Sequence, residues 1–387
     1  MIDAMPKKYI TEESTPYLFN FGKDQKESWI DPLFAFRGIE TTFFTGKWPT
    51  SHGVWTEYEL NNFSDKRALD LTYSKIINLT DLLYEDNLMS ITRYLINRYI
   101  YNKATYNSGI NLIPSHLTNY FTLTQNRSIF DMPDVNSCPT LFNQLTKSGI
   151  KYSITLPAKI GGDQASFQKI LKNIEKKDEF NLYKIGILDK KGHKYGPDTK
   201  YFHLTLKQID NNIKELVTKA EKYSETNVII FSDHGMAPVN KRIDLFTILK
   251  PLKYEPLRDY LFFIDSTMVR FWFKDEKIHS YFRELLNKFT FGHCLTIDEY
   301  DILKIPRDPK YGQLVFVLDE GYIFHPDFFH KNSVMKGMHG YAYPINKEYF
   351  PFIMTTRNIT LNEPDKLKVD FIDIYKIMLD SCSGKYN

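Results

Sequence analysis

The hexapeptide Phe231-Ser232-Asp233-His234-Gly235-Met236 follows directly on the apolar run Val228-Ile229-Ile230-Phe231. A buried strand that stops there delivers an acid and an imidazole side by side into a loop. Three other segments offer the same chemistry: Leu188 to Pro197, with Asp189 and His193; Gly337 to Tyr341, with His339; and Ile2 to Pro6, with Asp3. Asp3, Asp189 and Asp233 supply carboxylates, and His193, His234 and His339 supply imidazoles. That is a sufficient donor set for two divalent cations. A cation pair can polarise a phosphoryl oxygen and stabilise both the attacking and the leaving oxygen of a displacement. Donors of this kind suit zinc, and oxygen-rich sites also take manganese or magnesium. Any one Asp-His pair taken alone is more often a capping acid beside a surface histidine. The weight lies in four such segments along one chain.

These residues need a scaffold, and strand signals alternate with helix signals along the chain. Tyr183 to Leu188 reads as a buried strand. Phe202, Leu206, Ile209, Ile213, Leu216 and Ala220 then recur at helical spacing, and Asn227 to Phe231 reads as the next strand. Leu141, Phe142 and Leu145 mark a helix ending near Gly149, followed by a short strand, Tyr152 to Thr155, and a helix carrying Phe167, Ile170, Leu171 and Ile174. Near the end, Tyr349 to Thr355 is strand-like, and Val369, Ile372, Tyr375 and Leu379 predict a last helix. This alternation predicts an α/β fold, doubly wound, with a mostly parallel sheet and helices on both faces. Ligands on such sheets lie at the carboxyl ends of strands, where Asp189 and Asp233-His234 fall. The spacing of Asp189 and His193 around Gly192 reads as a tight turn that aims both inward.

Two regions break the rhythm. Residues 56 to about 135 are rich in Tyr and Asn, with helical patches such as Leu88 to Tyr99. Residues 255–335 carry antiparallel-looking strands (Tyr260 to Ile264, Met268 to Phe273, Leu314 to Leu318) around a helix near His279 to Lys288. The expected organisation is a metal-binding α/β core of 1–254 and 336–387, with the 56–135 excursion, and an inserted α+β cap of 255–335.

With 387 residues, 42% of them hydrophobic and 25% charged, the chain is long enough for a large globular core. The 50 basic and 47 acidic residues are interspersed, which argues against a basic arm and an obligate nucleic-acid partner. No run approaches the roughly 20 apolar residues of a membrane helix. The start lacks a basic-then-apolar secretory pattern. Cys138, Cys294 and Cys382 are scattered and odd in number, reading as reduced thiols of a cytoplasmic protein.

The order and wording of the motifs resemble the alkaline phosphatase superfamily, and within it the type I phosphodiesterase/nucleotide pyrophosphatase branch. Phe-Ser-Asp-His-Gly-Met resembles that branch's paired-ligand motif, and Asp189 to Pro197, ending Gly-His-x-x-Gly-Pro, its second. Met338-His339-Gly340-Tyr341 is similar to its last histidine segment. Thr45-Gly46-x-x-Pro49-x-x-His52-Gly53 is similar to the segment after its nucleophile, Ser14 to Leu18 to its Thr-Pro-x-Leu helix start, and Val369 to Leu379 to its final helix. The resemblance implies an alkaline-phosphatase-like fold and two divalent ions, zinc first and manganese or magnesium as alternatives. Asp189, His193 and His339 would hold one ion, and Asp3, Asp233 and His234 the other. His52 would be structural or support the ligands from behind.

Two positions depart from the family pattern. Counting back nine residues from Thr45, where the family keeps its Thr, Ser or Cys nucleophile, lands on Phe36. A phenyl ring neither ligates a metal nor attacks phosphorus, which puts the covalent route in doubt. Water could attack directly, a displaced hydroxyl such as Thr41 could reach the site, or the chain could be a weakened relative. Arg37 could contact a phosphate through its planar fork, or be a solvated arginine at a helix start. The second departure is at Asp3. The resemblance places it after a core strand, yet only Met1 and Ile2 precede it. Either the recorded start lies downstream of the true one or that strand is missing.

The expected activity is that of a metal-dependent phosphoric ester hydrolase, of phosphodiesterase or pyrophosphatase type, on a nucleotide-like or other small phosphorylated substrate. The alternative is a catalytically impaired, metal-binding relative serving as a binding or scaffold protein. Sulfatase and phosphomutase chemistry would need a Cys or Ser at position 36. Arg37, Tyr195, Tyr341 and Arg270 are candidate lining residues, although each such residue type is more often packing or surface.

Overall fold

A computed structural model describes the chain except residues 25, 62–119, 126, 159, 177, 224, 331–333, 343–345, 357–367 and 383–387. The helical patch read at Leu88 to Tyr99 lies outside the described residues.

Continuous apolar runs build the site-bearing sheet. Phe352, Ile353 and Met354 are all buried, but they enter two different cores. Ile353 and Phe231 join Phe43, Phe44, Phe371 and Ile374 on one side, whereas Phe352, Met354 and Ile230 join Leu188, Phe202, Leu206 and Ile209 on the other. Successive strand side chains point to opposite faces, so a strand apolar at every position is buried twice. Helices Gly38–Thr45 and Phe371–Cys382 therefore cover one face, and helices Ile187–Tyr195 and Lys200–Glu221 the other. Phe43 stacks on Phe371 with ring centroids 4.6 Å apart and meets Phe231 edge-on at 5.2 Å.

Strand Phe352–Thr355 lies between Lys26–Ile30 and Ile229–Phe231 and runs antiparallel to both. Lys368–Val369 adds parallel to Lys26–Ile30 at one edge, and Tyr152–Thr155 pairs parallel with Phe180–Tyr183 at the other. Residues 1–3 join the two halves. Ile2 bridges in parallel to Ser232 on one side and to Ile185 on the other. The Ile2 N–H donates to Phe231 O (2.8 Å), and the Asp3 N–H to Ile185 O (2.9 Å). The backbone of residues 2 and 3 is thus hydrogen-bonded to both neighbouring segments.

Tyr183 to Leu188 is not one strand. The strand ends at Tyr183, and helix Ile187–Tyr195 begins four residues later. An apolar run does not by itself distinguish a buried strand from a buried first helical turn. Likewise Val369 belongs to an edge strand, and the last helix starts at Phe371.

A second sheet runs in the order Tyr260–Ile264, Met268–Phe273, Leu314–Leu318, Gly292–Cys294, every neighbour antiparallel. Helix Glu276–Leu286 packs on it through Ile278, Phe282 and Leu286. Cys138, Cys294 and Cys382 are free thiols. Among the described residues no helix is long and apolar enough to cross a membrane.

Candidate metal centre

The strand ends deliver the acids. Strand Ile229–Phe231 stops just before Ser232, and Asp233 follows, only 3% exposed. Its Oδ1 accepts the N–H groups of Ala4 (3.1 Å) and His234 (3.0 Å). Asp3 leaves the neighbouring backbone track at the same edge, and its Oδ1 is 3.3 Å from His234 Nε2.

Asp189 and His193 come from a helix rather than the tight turn read from the sequence. They stand at i and i+4 of Ile187–Tyr195, one above the other on one face, with Asp189 Oδ1 3.1 Å from His193 Nε2. Gly192 lets this helix approach the Asp233-His234 loop. A Cβ there would lie 2.8 Å from Met236 Cε.

His339 arrives on a two-residue ribbon. Gly337–Met338 pairs antiparallel with Ala237–Pro238, just beyond the Asp233-His234 loop. This stacks the His339 ring on that of His234, centroids 3.7 Å apart, and puts His339 Nε2 3.5 Å from Asp189 Oδ1.

Two overlapping groups of donors result. Asp189, His193 and His339 place one ligand atom each within 4.8 Å of one another, and so do Asp3, Asp189 and His234. Asp189 belongs to both. Asp233 lies next to the second group, with its Oδ1 held by backbone amides.

The orientation of two rings suits ligation. His193 Nδ1 contacts Gly337 O at 2.9 Å, and His234 Nδ1 contacts Gly235 O at 3.0 Å. With Nδ1–H donated to a carbonyl, Nε2 is the atom left to face the carboxylates, the arrangement typical behind metal-bound histidines. Asp189 Oδ1 is buried and no hydrogen bond of proper geometry reaches it, although two imidazole nitrogens face it. A divalent cation fits that donor set, because it would satisfy an oxygen that is otherwise costly to bury.

The electrostatics reflect crowded carboxylates. Burial, reinforced by the charge on Asp3, pushes Asp233 up to about 6. Burial opposes ionisation of Asp3 too, but the Lys184 ammonium and then His234 hold it far below the usual carboxylate range. Against the effect of burial, Asp233 and Asp3 draw a proton onto His234, raising it to about 10. Burial, then the neighbouring His234 and His193 rings, push His339 well below the ordinary imidazole value. A field that pulls protons onto one buried histidine also attracts a cation.

Phe36 sits at the edge of this cluster, with its ring against Gly340, the residue after His339. Gly340 has φ +77°, and a Cβ there would lie 3.0 Å from Phe36 Cε1. Thr41 Oγ1 donates to Gln125 Oε1 (2.9 Å), so that hydroxyl is spent elsewhere. Arg37 Nε is 4.0 Å from Glu57 Oε2. Tyr195 stacks on Tyr201 (4.5 Å), and Tyr341 is buried with its hydroxyl unbonded. His52 is fully buried. Its Nδ1 accepts the Val54 N–H (3.1 Å) and its Nε2 meets Thr42 Oγ1 (3.1 Å).

Sequence reasoning passed over two groups here. Lys184 Nζ lies 2.9 Å from Asp3 Oδ2 and 2.6 Å from Glu40 Oε1. A lone lysine inside an apolar run was the available signal. His330 stands with its ring 5.9 Å from that of His193, its Nδ1 3.1 Å from Asp327 Oδ2. Nothing in the spacing of residues 325–330 marked it.

Comparison with known proteins agrees with this architecture. A model of the family described as type I phosphodiesterase / nucleotide pyrophosphatase matches residues 39–342. That span includes Asp189, His193, Asp233, His234 and His339, and leaves out Asp3 and Phe36. The mouse bis(5'-adenosyl)-triphosphatase enpp4 is 28% identical over 204 residues, 49% of this chain and 41% of that protein. The Bos taurus ENPP4 protein is 31% identical over 167 residues, 40% of this chain and 33% of its own length. These matches span less than half of either relative. Among solved structures, murine ectonucleotide pyrophosphatase / phosphodiesterase 5 superposes with a TM-score of 0.65 at 15% identity, over 99% of this chain and 93% of that one. The human counterpart gives 0.63 at 14% identity, over 99% and 94%. This likeness establishes an alkaline-phosphatase-like α/β fold.

Proposed function

This chain belongs to the type I phosphodiesterase/nucleotide pyrophosphatase family, and from that premise we propose that it is a metal-dependent phosphoric ester hydrolase acting on a nucleotide-like substrate. The observation that most supports the reading is Asp189 Oδ1, buried, without a hydrogen bond, and faced by two imidazole nitrogens. Asp189, His193 and His339 would hold one ion, and Asp3, Asp233 and His234 a second, zinc before manganese or magnesium. When bound, such ions polarise the phosphoryl oxygens and stabilise the attacking and leaving oxygens.

The protein's own part is orientation. Gly337 O and Gly235 O fix the His193 and His234 rings, and the backbone amides of Ala4 and His234 fix Asp233. Phe36 carries no hydroxyl or thiol, so a covalent phospho-enzyme has no attacking atom at that slot, and water is the nucleophile in this reading. The segments 56–135 and 255–335 would set substrate choice, the latter as a cap over the α/β core, with Arg37, Tyr195 and Tyr341 as candidate contacts. Arg37 would have to leave Glu57 to reach a phosphate.

The test is turnover of bis-p-nitrophenyl phosphate and a panel of dinucleoside polyphosphates and nucleotide sugars, with zinc or manganese. Chelator-sensitive hydrolysis is expected. Absence of turnover with metal demonstrably bound would remove the reading. A second reading, a binding protein that has lost its chemistry, is favoured by the Phe36 ring packed on Gly340. Activity that appears only in Phe36→Thr or Phe36→Ser would select it.

A further inference from the structure

We propose that Lys184, clamped by Glu40, is a positioning residue that holds Asp3 so that its free oxygen completes a second cation site shared with Asp189. The inference rests on the metal-dependent reading above and concerns residues that the family resemblance did not supply.

Lys184 directly follows strand Phe180–Tyr183, and its N–H donates to Thr155 O (3.0 Å), which fixes where its side chain begins. The side chain is 17% exposed, and a nearly buried ammonium must be paired to be tolerated. It takes two partners, Asp3 Oδ2 at 2.9 Å and Glu40 Oε1 at 2.6 Å. Binding Oδ2 fixes the rotation of the Asp3 carboxylate. Oδ1 is thereby left to face His234 Nε2, 3.3 Å away, and Asp3 offers an oxygen within ligand spacing of Asp189.

A lysine alone would hold Asp3 loosely, because four rotatable bonds leave its ammonium mobile. Glu40 removes that freedom. It stands in the first turn of helix Gly38–Thr45, whose Ile39, Phe43 and Phe44 are locked into the core. The path therefore runs from a rigid helix through two ion pairs to a ligand carboxylate. Contacts of this kind behind a ligand change metal affinity by roughly 10- to 100-fold.

Charge and position make opposite predictions. An ammonium beside a cation site repels the cation, so if charge alone mattered, removing Lys184 would tighten binding. If Lys184 positions Asp3, removing it weakens binding at one site and spares the other.

The experiment titrates zinc, and cobalt as a spectroscopic probe, into the metal-stripped full chain, with a chromophoric chelator as competitor. The wild type is expected to bind two ions. Lys184→Met should bind one ion at wild-type affinity and the other roughly 10- to 100-fold more weakly, with altered cobalt absorption for the weakened ion only. Lys184→Arg, which keeps charge and donors, should restore most of the loss. Unchanged or tighter binding of both ions by Lys184→Met overturns the proposal, as does a single ion in the wild type. Equal weakening of both ions, with a lowered Tm, also overturns it in favour of a structural role. If Lys184→Met does not fold, Glu40→Gln carries the test, and two undisturbed ions overturn the proposal. A wild type that binds no ion brings down the hydrolase reading as well, whereas two ions with no effect of Lys184 bring down only this one.

Discussion

Two clusters of buried ionic groups differ in whether the charge closes on itself. In the antiparallel sheet, Arg270 is fully buried in the middle of strand Met268–Phe273. Its Nε donates to Asp265 Oδ2 (2.8 Å), its Nη1 to Tyr58 O (2.8 Å), and its guanidinium lies 4.8 Å from the Phe263 ring centroid. One cation meets one anion inside an aromatic shell, although Asp265 Oδ1 and Arg270 Nη2 stay unbonded. At the strand ends of the other sheet, Lys184 pairs with Asp3 and Glu40 and lies in the field of Asp233, while Asp189 faces His193 and His339. His234 keeps its proton there while His339 is held neutral, so the set is only partly neutralised. A pair that closes serves the fold. A cluster with surplus negative charge, held open by backbone amides and a clamped lysine, is organised for something that the chain itself does not supply.

The sharpest way to break this contrast is to remove one member from each cluster. Arg270→Met strands the Asp265 carboxylate in the core and should destabilise the protein by about 3–5 kcal/mol in urea unfolding, without changing metal content. Asp189→Ala should do the reverse. It removes a donor common to both ligand groups, so phosphodiester turnover should fall by at least about 100-fold, roughly 3 kcal/mol in the barrier. Tm should hold or rise, since crowded site charges cost stability. If Asp189→Ala unfolds the chain while Arg270→Met leaves it stable, the assignment of roles is inverted.

His52 extends the contrast to pH. Burial pushes its pKa down to about 3, so in the folded protein it stays neutral while the unfolded chain takes up a proton near the ordinary value. Between those values the unfolded state binds more protons, and stability must fall as pH falls. By pH 5 the loss attributable to His52 should be about 2 kcal/mol. His52→Gln should flatten that part of the stability profile, and an unaltered slope would show that the ring is not held neutral. The smallest effect concerns the helix beneath the site. The Thr199 side chain caps Lys200–Glu221 by accepting the Phe202 N–H (3.4 Å), and Thr199→Ala should cost about 1 kcal/mol with turnover unchanged.

Local pattern made much of this legible. The strands Tyr152–Thr155, Tyr260–Ile264, Met268–Phe273 and Leu314–Leu318 fall where alternation and β-branched or aromatic runs put them, and the long helix falls where Phe202 to Ala220 repeat. Asp189, His193, Asp233, His234 and His339 are drawn together as the motif order implied. Illegible were the features that depend on distant backbone. The Asp189-His193 spacing fits a turn or a helix equally well, and packing of Gly192 on Met236 accompanies the helix. The Thr41 hydroxyl, one of the alternatives open at the sequence level, donates instead to Gln125, 84 positions away.

By itself, the sequence determined which segments are apolar enough for the cores, that Asp233 and His234 follow directly on a strand, and that position 36 has no nucleophilic atom. These are properties of covalent order and of short-range periodicity. Tertiary structure alone decided that Asp189 is common to both ligand groups, that Asp3 is bonded on both sides between two strands, and that Lys184 joins it to Glu40. Ligand geometry is a matter of tenths of an ångström between segments tens to hundreds of residues apart, and the closing of Gly337–Met338 onto Ala237–Pro238 and of residues 1–3 into the sheet sets those distances.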